Sequence, residues 1–226
     1  MARPRSDIQA RLVEAARARF LSQGVDGASL REIARDAGTN IGMVVYYFPT
    51  KDDLFLAVVE EVYAGVVHDM EQIFGLEDAA RERLRRAFVR LGRTSDLELD
   101  VIRLVVREAL SSSTRLRRII GRSMTGHVPL ILETLAKGIR EGEFDATIPV
   151  PFIFAAVVGL GGLPQLLRRA APSLPFMAGL PRAEALADIS IDVLFRAVGA
   201  RAVGAREDAP VRLAPPLRPR RPRSRS

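Results

Sequence analysis

The segment from Ser29 to Lys51 carries side chains that could bind nucleic acid. It contains two phenols, at Tyr46 and Tyr47, an amide at Asn40 and an ammonium group at Lys51. Such groups donate hydrogen bonds to phosphate oxygens, and phosphate contacts fix the orientation of a protein on a duplex. These side chains can act together only if the local fold brings them to one surface.

The first half of this segment predicts a short helix. Ser29 followed by Glu32 is a capping box, in which each side chain bonds the backbone amide of the other residue. Its apolar residues recur on one face, at Leu30, Ile33, Ala34 and Ala37. Gly38 is expected to end the helix, because glycine adopts a left-handed conformation without steric cost.

A second short helix is predicted from about Ile41 to Phe48. Thr39 or Asn40 can cap its start, and Pro49 closes it. Two short helices joined by a tight turn that contains a glycine form a helix-turn-helix, whose second helix enters the DNA major groove. The segment therefore predicts a DNA-reading element.

The segment resembles the DNA-binding head of the tetracycline-repressor (TetR) family of bacterial regulators. The resemblance covers roughly residues 8–60, and it is carried by Ile33-Ala34, Ala37-Gly38, Gly42, Val44, Tyr46-Tyr47-Phe48 and Thr50-Lys51-x-x-Leu54. It implies a homodimeric repressor that a small ligand releases from a palindromic operator. The alternatives are a DNA binder without a ligand and a non-enzymatic helical interaction protein. The DNA contacts that the resemblance implies are Ser29, Thr39, Asn40, Gly42, Val45, Tyr46, Tyr47 and Lys51.

A helical wheel divides the second helix into two faces. Val44 and Phe48 point to the core, with Ile41 beside them. The opposite ridge consists of Gly42, Val45 and Tyr46. Because this ridge has few groups for bidentate bonds to bases, contacts to thymine methyl groups and DNA shape are expected to supply much of the specificity.

The positive charge of the chain is concentrated at its C-terminal end. The 226 residues carry a net charge of +7, of which residues 201–226 supply +6, with eight arginines against Glu207 and Asp208. The remaining +1 on residues 1–200 means that DNA affinity must come from placed residues. The Arg- and Pro-rich tail is predicted to be disordered, and it is either a tethered polycation that adds affinity for any duplex or a solvated terminus.

Hydrophobic periodicity at helical spacing continues along the chain, and no long run alternates at period two. The predicted fold class is all-α. We expect a DNA-binding head at residues 1–50, a ligand-binding and dimerisation body at 51–199, and the tail at 200–226. A helix from Thr50 to Phe74, about 35 Å long at 1.5 Å per residue, is expected to connect head and body.

The stretch from Ile148 to Leu167 is the most apolar of the chain. Its length would allow a membrane span, but Pro149, Pro151 and Pro164 favour a buried or intersubunit helix. The absence of cysteine and of an apolar stretch in MARPRSD leads us to expect a cytoplasmic protein. The residues predicted to form the dimer interface are Phe154, Val157, Val158, Leu186, Ile189 and Leu194.

The family resemblance also implies a small, largely apolar effector bound among the middle helices. The candidate pocket residues are Met70, Phe74, Phe88, Leu91, Ile102, Val105, Met124, His127 and Leu130. Each of them could equally be ordinary core. His127 is the polar group best suited to orient a ligand, because it follows Gly126 in a segment where Pro129 predicts a kink or break.

An enzymatic or metal-binding function has little support in the sequence. The chain has only two histidines, His68 and His127, and no cysteine. No Ser-His-acid arrangement has a recognisable spacing, and two histidines without a thiolate are a weak metal signal. We therefore expect no catalytic residues, no metal and no cofactor.

Overall fold

The computed structural model describes residues 5–123, 125–170 and 179–200. Their regular structure is helical, and outside the helices a single isolated bridge pairs Phe144 with Gly199. The all-α prediction is confirmed for this part of the chain. The helices are α1 (Arg5–Gly27), α2 (Leu30–Asp36), α3 (Ile41–Tyr47), α4 (Lys51–Phe74), α5 (Ala80–Gly92), α6 (Asp96–Ser111), α7 (Ser113–Ser123), α8 (His127–Arg140), α9 (Val150–Ala156), a π-helical segment (Val157–Gly162), α10 (Leu163–Ala170) and α11 (Ala183–Val198).

Helices α1, α2 and α3 form the head around one apolar core. Leu12, Ala16 and Phe20 repeat every four residues along α1, and all three are fully buried. Gly24 interrupts α1 with a φ of 78°, and one further turn follows it. Gly38 takes a φ of 63° and ends the second helix in the way its type predicts.

The core of the head extends beyond residue 50. Leu54, Phe55 and Val58 of α4 and Leu104 of α6 are buried in it. The ring of Phe55 meets that of Phe20 edge-on at a centroid distance of 6.4 Å. The first turns of α4 are therefore packed as part of the head, while the C-terminal end of α4 lies in a second core.

The capping box predicted at Ser29 is absent. Ser29 precedes α2 but makes no side-chain capping bond. Glu32 instead accepts a hydrogen bond from Arg19 of α1 at 3.0 Å. A complete capping box begins α4, where Thr50 Oγ1 accepts the amide of Asp53 at 3.1 Å and Asp53 accepts the amide of Thr50 at 3.0 Å.

The body is built around α5, which packs against α11, α4 and the helix from Val150 to Ala170. Its core includes Leu84 and Phe88 of α5, Ile153 of α9 and Leu194 of α11. The glycine-rich run Gly159 to Gly162 lies in the π-helical segment, and its last two glycines are buried. Gly161 and Gly162 allow this segment to pack closely on α5, against Phe88 and Leu91.

The predicted break near Gly126 separates α7 from α8. Pro129 causes no kink, because it lies in the first turn of α8, where a missing amide costs no hydrogen bond. The sequence also predicts a basic arm at residues 1–5, a helix cap at Ser6 and a loop at residues 172–181. Residues 1–4, the side chain of Ser6, Met124, most of that loop and the tail from 201 lie outside the described backbone or side chains.

Candidate nucleic-acid interface

Burial fixes the orientation of α3. Asn40 caps the helix, and its Oδ1 accepts the amide of Met43 at 3.1 Å. Val44 is fully buried in the head core, and Phe48 joins it just after the last turn. Because these two side chains are four residues apart, they hold one face of α3 inward and leave the opposite face in solvent.

The outward face of α3 carries the predicted ridge. Gly42 is exposed, and the exposed fractions of Val45 and Tyr46 are 51% and 65%. Tyr47 is half-buried beside the ridge, and its ring meets that of Tyr46 edge-on at 5.1 Å. The outward face of α3 therefore presents an apolar side chain and an aromatic side chain to solvent.

The position of Ile41 corrects the helical-wheel prediction. Ile41 was expected beside the core, but it is exposed at the first turn of α3. It lies one turn before Val45, so the exposed surface of α3 has two apolar side chains. Thr39 is half-buried in the turn that precedes them, and Asn40 is exposed.

Ser29 and Lys51 lie at the edges of this surface. Ser29 is half-buried before the first turn of α2. Lys51 begins α4, and its Nζ donates to the backbone oxygen of Asp26 at 3.0 Å. This bond uses one of the three donors of the ammonium group. The other two leave Lys51 able to bond a phosphate from a fixed position.

Two arginines that the sequence reasoning missed flank the start of α3. Arg31 and Arg35 are exposed on α2, four residues apart and therefore on one side of that helix. A groove of about 340 Å³ separates them from the turn and the first residue of α3. Its lining residues are Arg31, Ala34, Arg35, Gly38, Thr39, Asn40 and Ile41. The four-residue spacing on the polar face of α2 was the sequence signal that could have found them.

The predicted dimer residues fall into two groups. Val158 and Ile189 are exposed, and Phe154 is half-buried. The dimer prediction is wrong for Val157, Leu186 and Leu194, because these side chains are buried within the chain itself and cannot contact a partner. Apolar residues occur on more than one face of these helices, and the sequence alone did not separate the faces.

The predicted pocket residues are dispersed between two cores. Met70, Phe74, Phe88, Leu91 and Leu130 pack in or against the body core. Val105 packs against the head core, and Ile102 is half-buried on α6. A groove of about 430 Å³ between α5 and α11 has none of these residues in its lining, which includes Arg81, Arg85, Asp188 and Asp192. The polar lining of that groove does not suit an apolar ligand.

His127 lies where α8 meets the middle of α4. Its Nε2 is 3.5 Å from the hydroxyl of Tyr63, and the two rings meet edge-on. Its Nδ1 is buried with no hydrogen-bond partner among the described residues. Burial lowers the pKa of His127 below its ordinary value of 6.5. His68 is exposed on α4, and the described residues contain no group of three or more histidine or acidic side chains that could hold a metal ion.

A helix-turn-helix with an exposed recognition helix, joined to a larger helical body, defines a DNA-binding protein of the regulator class. Residues 12–58 match the family model described as "Bacterial regulatory proteins, tetR family". These residues therefore form a DNA-binding domain of the TetR type, and the chain is similar to TetR-type transcriptional regulators, which are DNA-binding proteins and not enzymes.

Other proteins are similar to this chain beyond the DNA-binding domain, in sequence or in fold. The probable HTH-type transcriptional regulator YttP of Bacillus subtilis (strain 168) is 25% identical over 69% of this chain and 76% of its own length. A TetR-family regulator from Mesorhizobium loti MAFF303099 has a similar fold, with a TM-score of 0.66, 22% identity and coverage of 88% of this chain and 100% of that one. The regulator FadR of Bacillus subtilis, solved in complex with stearoyl-CoA, has a TM-score of 0.62, 19% identity and coverage of 82% and 97%.

Proposed function

We propose that the protein is a cytoplasmic homodimeric repressor that binds a palindromic operator through α3 and leaves it when a small, largely apolar ligand binds the body. The observation that carries the proposal is the division of α3 into two faces. Val44 and Phe48 are buried, whereas Val45 and Tyr46 are exposed on the opposite side. An exposed apolar and aromatic ridge on a capped recognition helix fits the floor of a major groove.

The side chains around the ridge indicate how DNA would be read. Ile41 and Val45 offer methyl groups to thymine, and Tyr46 offers a phenol to phosphate. Arg31 and Arg35 supply the bidentate donors that α3 itself lacks, and such donors pair with guanine or with a phosphate. Sequence preference would then come from methyl contacts on α3 and arginine contacts from α2.

The proposed dimer contact consists of two neighbouring apolar strips. Phe152, Val158 and Leu163 are exposed along the helix from Val150 to Ala170. Ile189 and Val193 are exposed one turn apart on α11, which packs beside that helix. Joining two copies through these strips would remove both from water and place two heads on the same side of DNA.

The same helix is long and apolar enough to cross a membrane, with a mean hydropathy of 1.9 over its most apolar window. A dimer contact accounts for it better. Gly161, Gly162 and Gln165 on its inner side are buried against the rest of the body, and Gln165 donates to the backbone oxygen of Ala183 at 2.7 Å. A helix with one side fixed in a protein core needs a partner only for its outer side.

The proposed effector site lies between α4 and α8. Tyr63 and Val67 of α4 approach Gly126, and the ring of His127 lies against Tyr63. The unpaired Nδ1 of His127 could bond a polar group on an otherwise apolar molecule. The FadR neighbour was solved with stearoyl-CoA, which supports a long apolar ligand for a body of this shape. A ligand there would act on DNA binding only through a preference for one arrangement of the heads.

Operator selection from a random duplex pool with the full chain tests the DNA-binding function. Tyr46→Ala and Arg31→Ala should each weaken the selected complex by about 5- to 150-fold, the range of one good contact worth about 1–3 kcal/mol. Arg140→Ala is the matched control, because Arg140 is exposed in the last turn of α8. Selection of no sequence would favour a helical interaction protein instead.

A thermal-shift screen with acyl-CoAs, free fatty acids and other apolar molecules tests the effector. Molecules that raise the melting temperature are then added to the operator complex, and the proposal expects them to dissociate it. His127→Leu should weaken a ligand that bonds through Nδ1. Binders that leave operator affinity unchanged would instead support a DNA binder without a ligand switch.

A further inference from the structure

One arginine of α7 joins the head to the body. The side chain of Arg115 is only 9% exposed, and it forms ion pairs with carboxylates on three other parts of the chain. Asp26 belongs to the last turn of α1, Asp52 to the first turn of α4 and Glu108 to α6. An arginine with three carboxylates from three elements fixes their relative positions, because its planar fork allows few arrangements.

The hydrogen bonds use both sides of the guanidinium group. Asp26 accepts from two nitrogens, Nη2 at 2.5 Å and Nη1 at 3.1 Å. Nη1 also donates to Glu108 at 2.7 Å, and Nε donates to Asp52 at 3.0 Å. Bidentate, charge-assisted bonds of this kind are the strongest and most directional that side chains make.

Glu108 extends the cluster into the core of the head. Its side chain is 5% exposed, and its second oxygen accepts the amide of Val25 at 3.3 Å. Val25 is fully buried in the head core, directly after the break in α1 at Gly24. The neighbouring Arg107 donates to the backbone oxygen of Phe20 at 3.0 Å. Two body helices therefore hold the end of α1.

Asp26 connects the same cluster to the DNA-facing surface. While its carboxylate pairs with Arg115, its backbone oxygen accepts Lys51 Nζ at 3.0 Å. Arg118, one turn after Arg115, donates to Asp53 at 3.1 Å, and Asp53 completes the capping box of α4. Lys51 is thus connected to α7 through Asp26, and the first turn of α4 is connected to it through Asp52 and Asp53.

We infer that Arg115 is a positioning residue for operator binding, which holds the head on the body so that α3 and Lys51 meet DNA in a fixed orientation. The inference rests on the proposed dimeric, DNA-binding function. In a dimer, the two recognition helices must be about 34 Å apart, one turn of DNA, or a multiple of it. A head that turns on its body changes this separation without losing any contact of its own with a half-site.

A preference for one spacing between the half-sites, here called spacing discrimination, therefore distinguishes a positioning role of Arg115 from a role in stability alone. The selected palindrome is compared with versions whose centre is one base pair longer or shorter and with a single half-site. The variants are Arg115→Lys, which keeps the charge and loses the fork, and Asp26→Asn. Asp26 has a largely exposed side chain, so its substitution does not threaten folding.

The inference predicts that both variants lose about tenfold or more in affinity for the palindrome, because their heads no longer hold the separation that two half-sites require. They should bind the half-site as the wild type does, and they should accept the altered spacings nearly as well as the original. Arg117→Lys is the control on the same helix, because Arg117 is exposed and, among the described residues, its side chain bonds only Thr114 within its own turn. It should leave spacing discrimination intact.

Two results would overturn the inference alone. The first is that both variants discriminate between spacings as the wild type does. The second is an equal loss of affinity for the palindrome, the half-site and the altered spacings, which would indicate damage to the head itself. A wild-type protein that selects no DNA would overturn the proposed function and the inference together. A melting temperature for every variant identifies loss of affinity that comes from unfolding.

Discussion

Gly161 lies so close to Phe88 that a β-carbon on Gly161 would be 1.9 Å from Cζ of the phenylalanine ring. No side chain fits at that distance, so the π-helical segment can pack on α5 only with glycine at this position. The ring of Phe88 is itself in the body core. The contact therefore sets how closely the helix from Val150 to Ala170 approaches α5.

Gly161→Ala should lower the free energy of unfolding by about 1–3 kcal/mol, the usual cost of overpacking a core, since neither the ring nor the helix has room to move. Urea or thermal unfolding measures it. Gly65→Ala is the control, because Gly65 lies in α4 with nothing within 4 Å of an added β-carbon. That change should raise stability by up to about 1 kcal/mol, and equal losses in the two variants would contradict the packing argument.

The two faces of α3 predict opposite effects for two aromatic residues. Phe48→Ala should cost about 3–5 kcal/mol in stability, because it empties a site in the head core. Tyr46→Ala should change unfolding little, because most of its ring is exposed. In operator binding, the Tyr46 variant should be impaired while remaining folded. Comparable destabilisation of the two variants would show that the faces of α3 are wrongly assigned.

The capping box of α4 predicts a difference between two hydroxyl residues that each precede a helix. Thr50→Ala should destabilise the protein by about 0.5–2 kcal/mol, because the amide of Asp53 loses its acceptor. Ser29→Ala should be nearly neutral without DNA, since Ser29 makes no capping bond. Both effects are measured by chemical unfolding. A larger loss of stability for Ser29→Ala than for Thr50→Ala would support the capping box that the sequence predicted at α2.

The proposed dimer contact through the exposed strips predicts which substitutions would give a monomer. Ile189→Asp should give a folded monomer, because a carboxylate at a buried contact cannot be desolvated cheaply. Sedimentation and circular dichroism together establish mass and folding. Leu110→Asp is the control, because Leu110 is 86% exposed on α6, away from both strips. Leu194→Asp should instead unfold the body, since Leu194 is enclosed by the chain itself.

Burial of His127 predicts a loss of stability in mild acid. The unfolded chain protonates this histidine near the ordinary pKa of 6.5, whereas the folded protein has a lower pKa because burial disfavours the charged ring. Below pH 6.5 the unfolded state therefore binds more protons, so stability falls until the pH passes the folded pKa. Above pH 6.5 the contribution of His127 to stability is fully present.

His127→Gln should remove this part of the fall in melting temperature when the pH is lowered from neutral to about 5.5. His68→Gln provides the comparison, because His68 is the only other histidine and is exposed on α4. The His68 variant should keep the wild-type pH profile. An identical profile for the His127 variant would show that its ring is solvated in the folded protein.

The sequence by itself determined the parts of this protein that depend on neighbours along the chain. Apolar periodicity gave the helices, Gly38 gave the turn before α3, and the spacing of Val44 and Phe48 gave the inward face. These features follow from backbone geometry within a few residues, so a local pattern is sufficient to predict them. The break at Gly126 has the same local origin.

Only the tertiary structure decided which residue meets which across the chain. Glu32 does not form the predicted cap, because it pairs with Arg19, a charged partner thirteen residues away. Leu194 turned inward because α5 covers it, whereas Ile189 on the same helix remained exposed. Arg115 joins carboxylates 63 and 89 residues distant, a pairing that no local spacing encodes. Burial and ion pairing depend on how the helices pack. The packing is determined by the apolar residues of the whole chain together and not by any local segment.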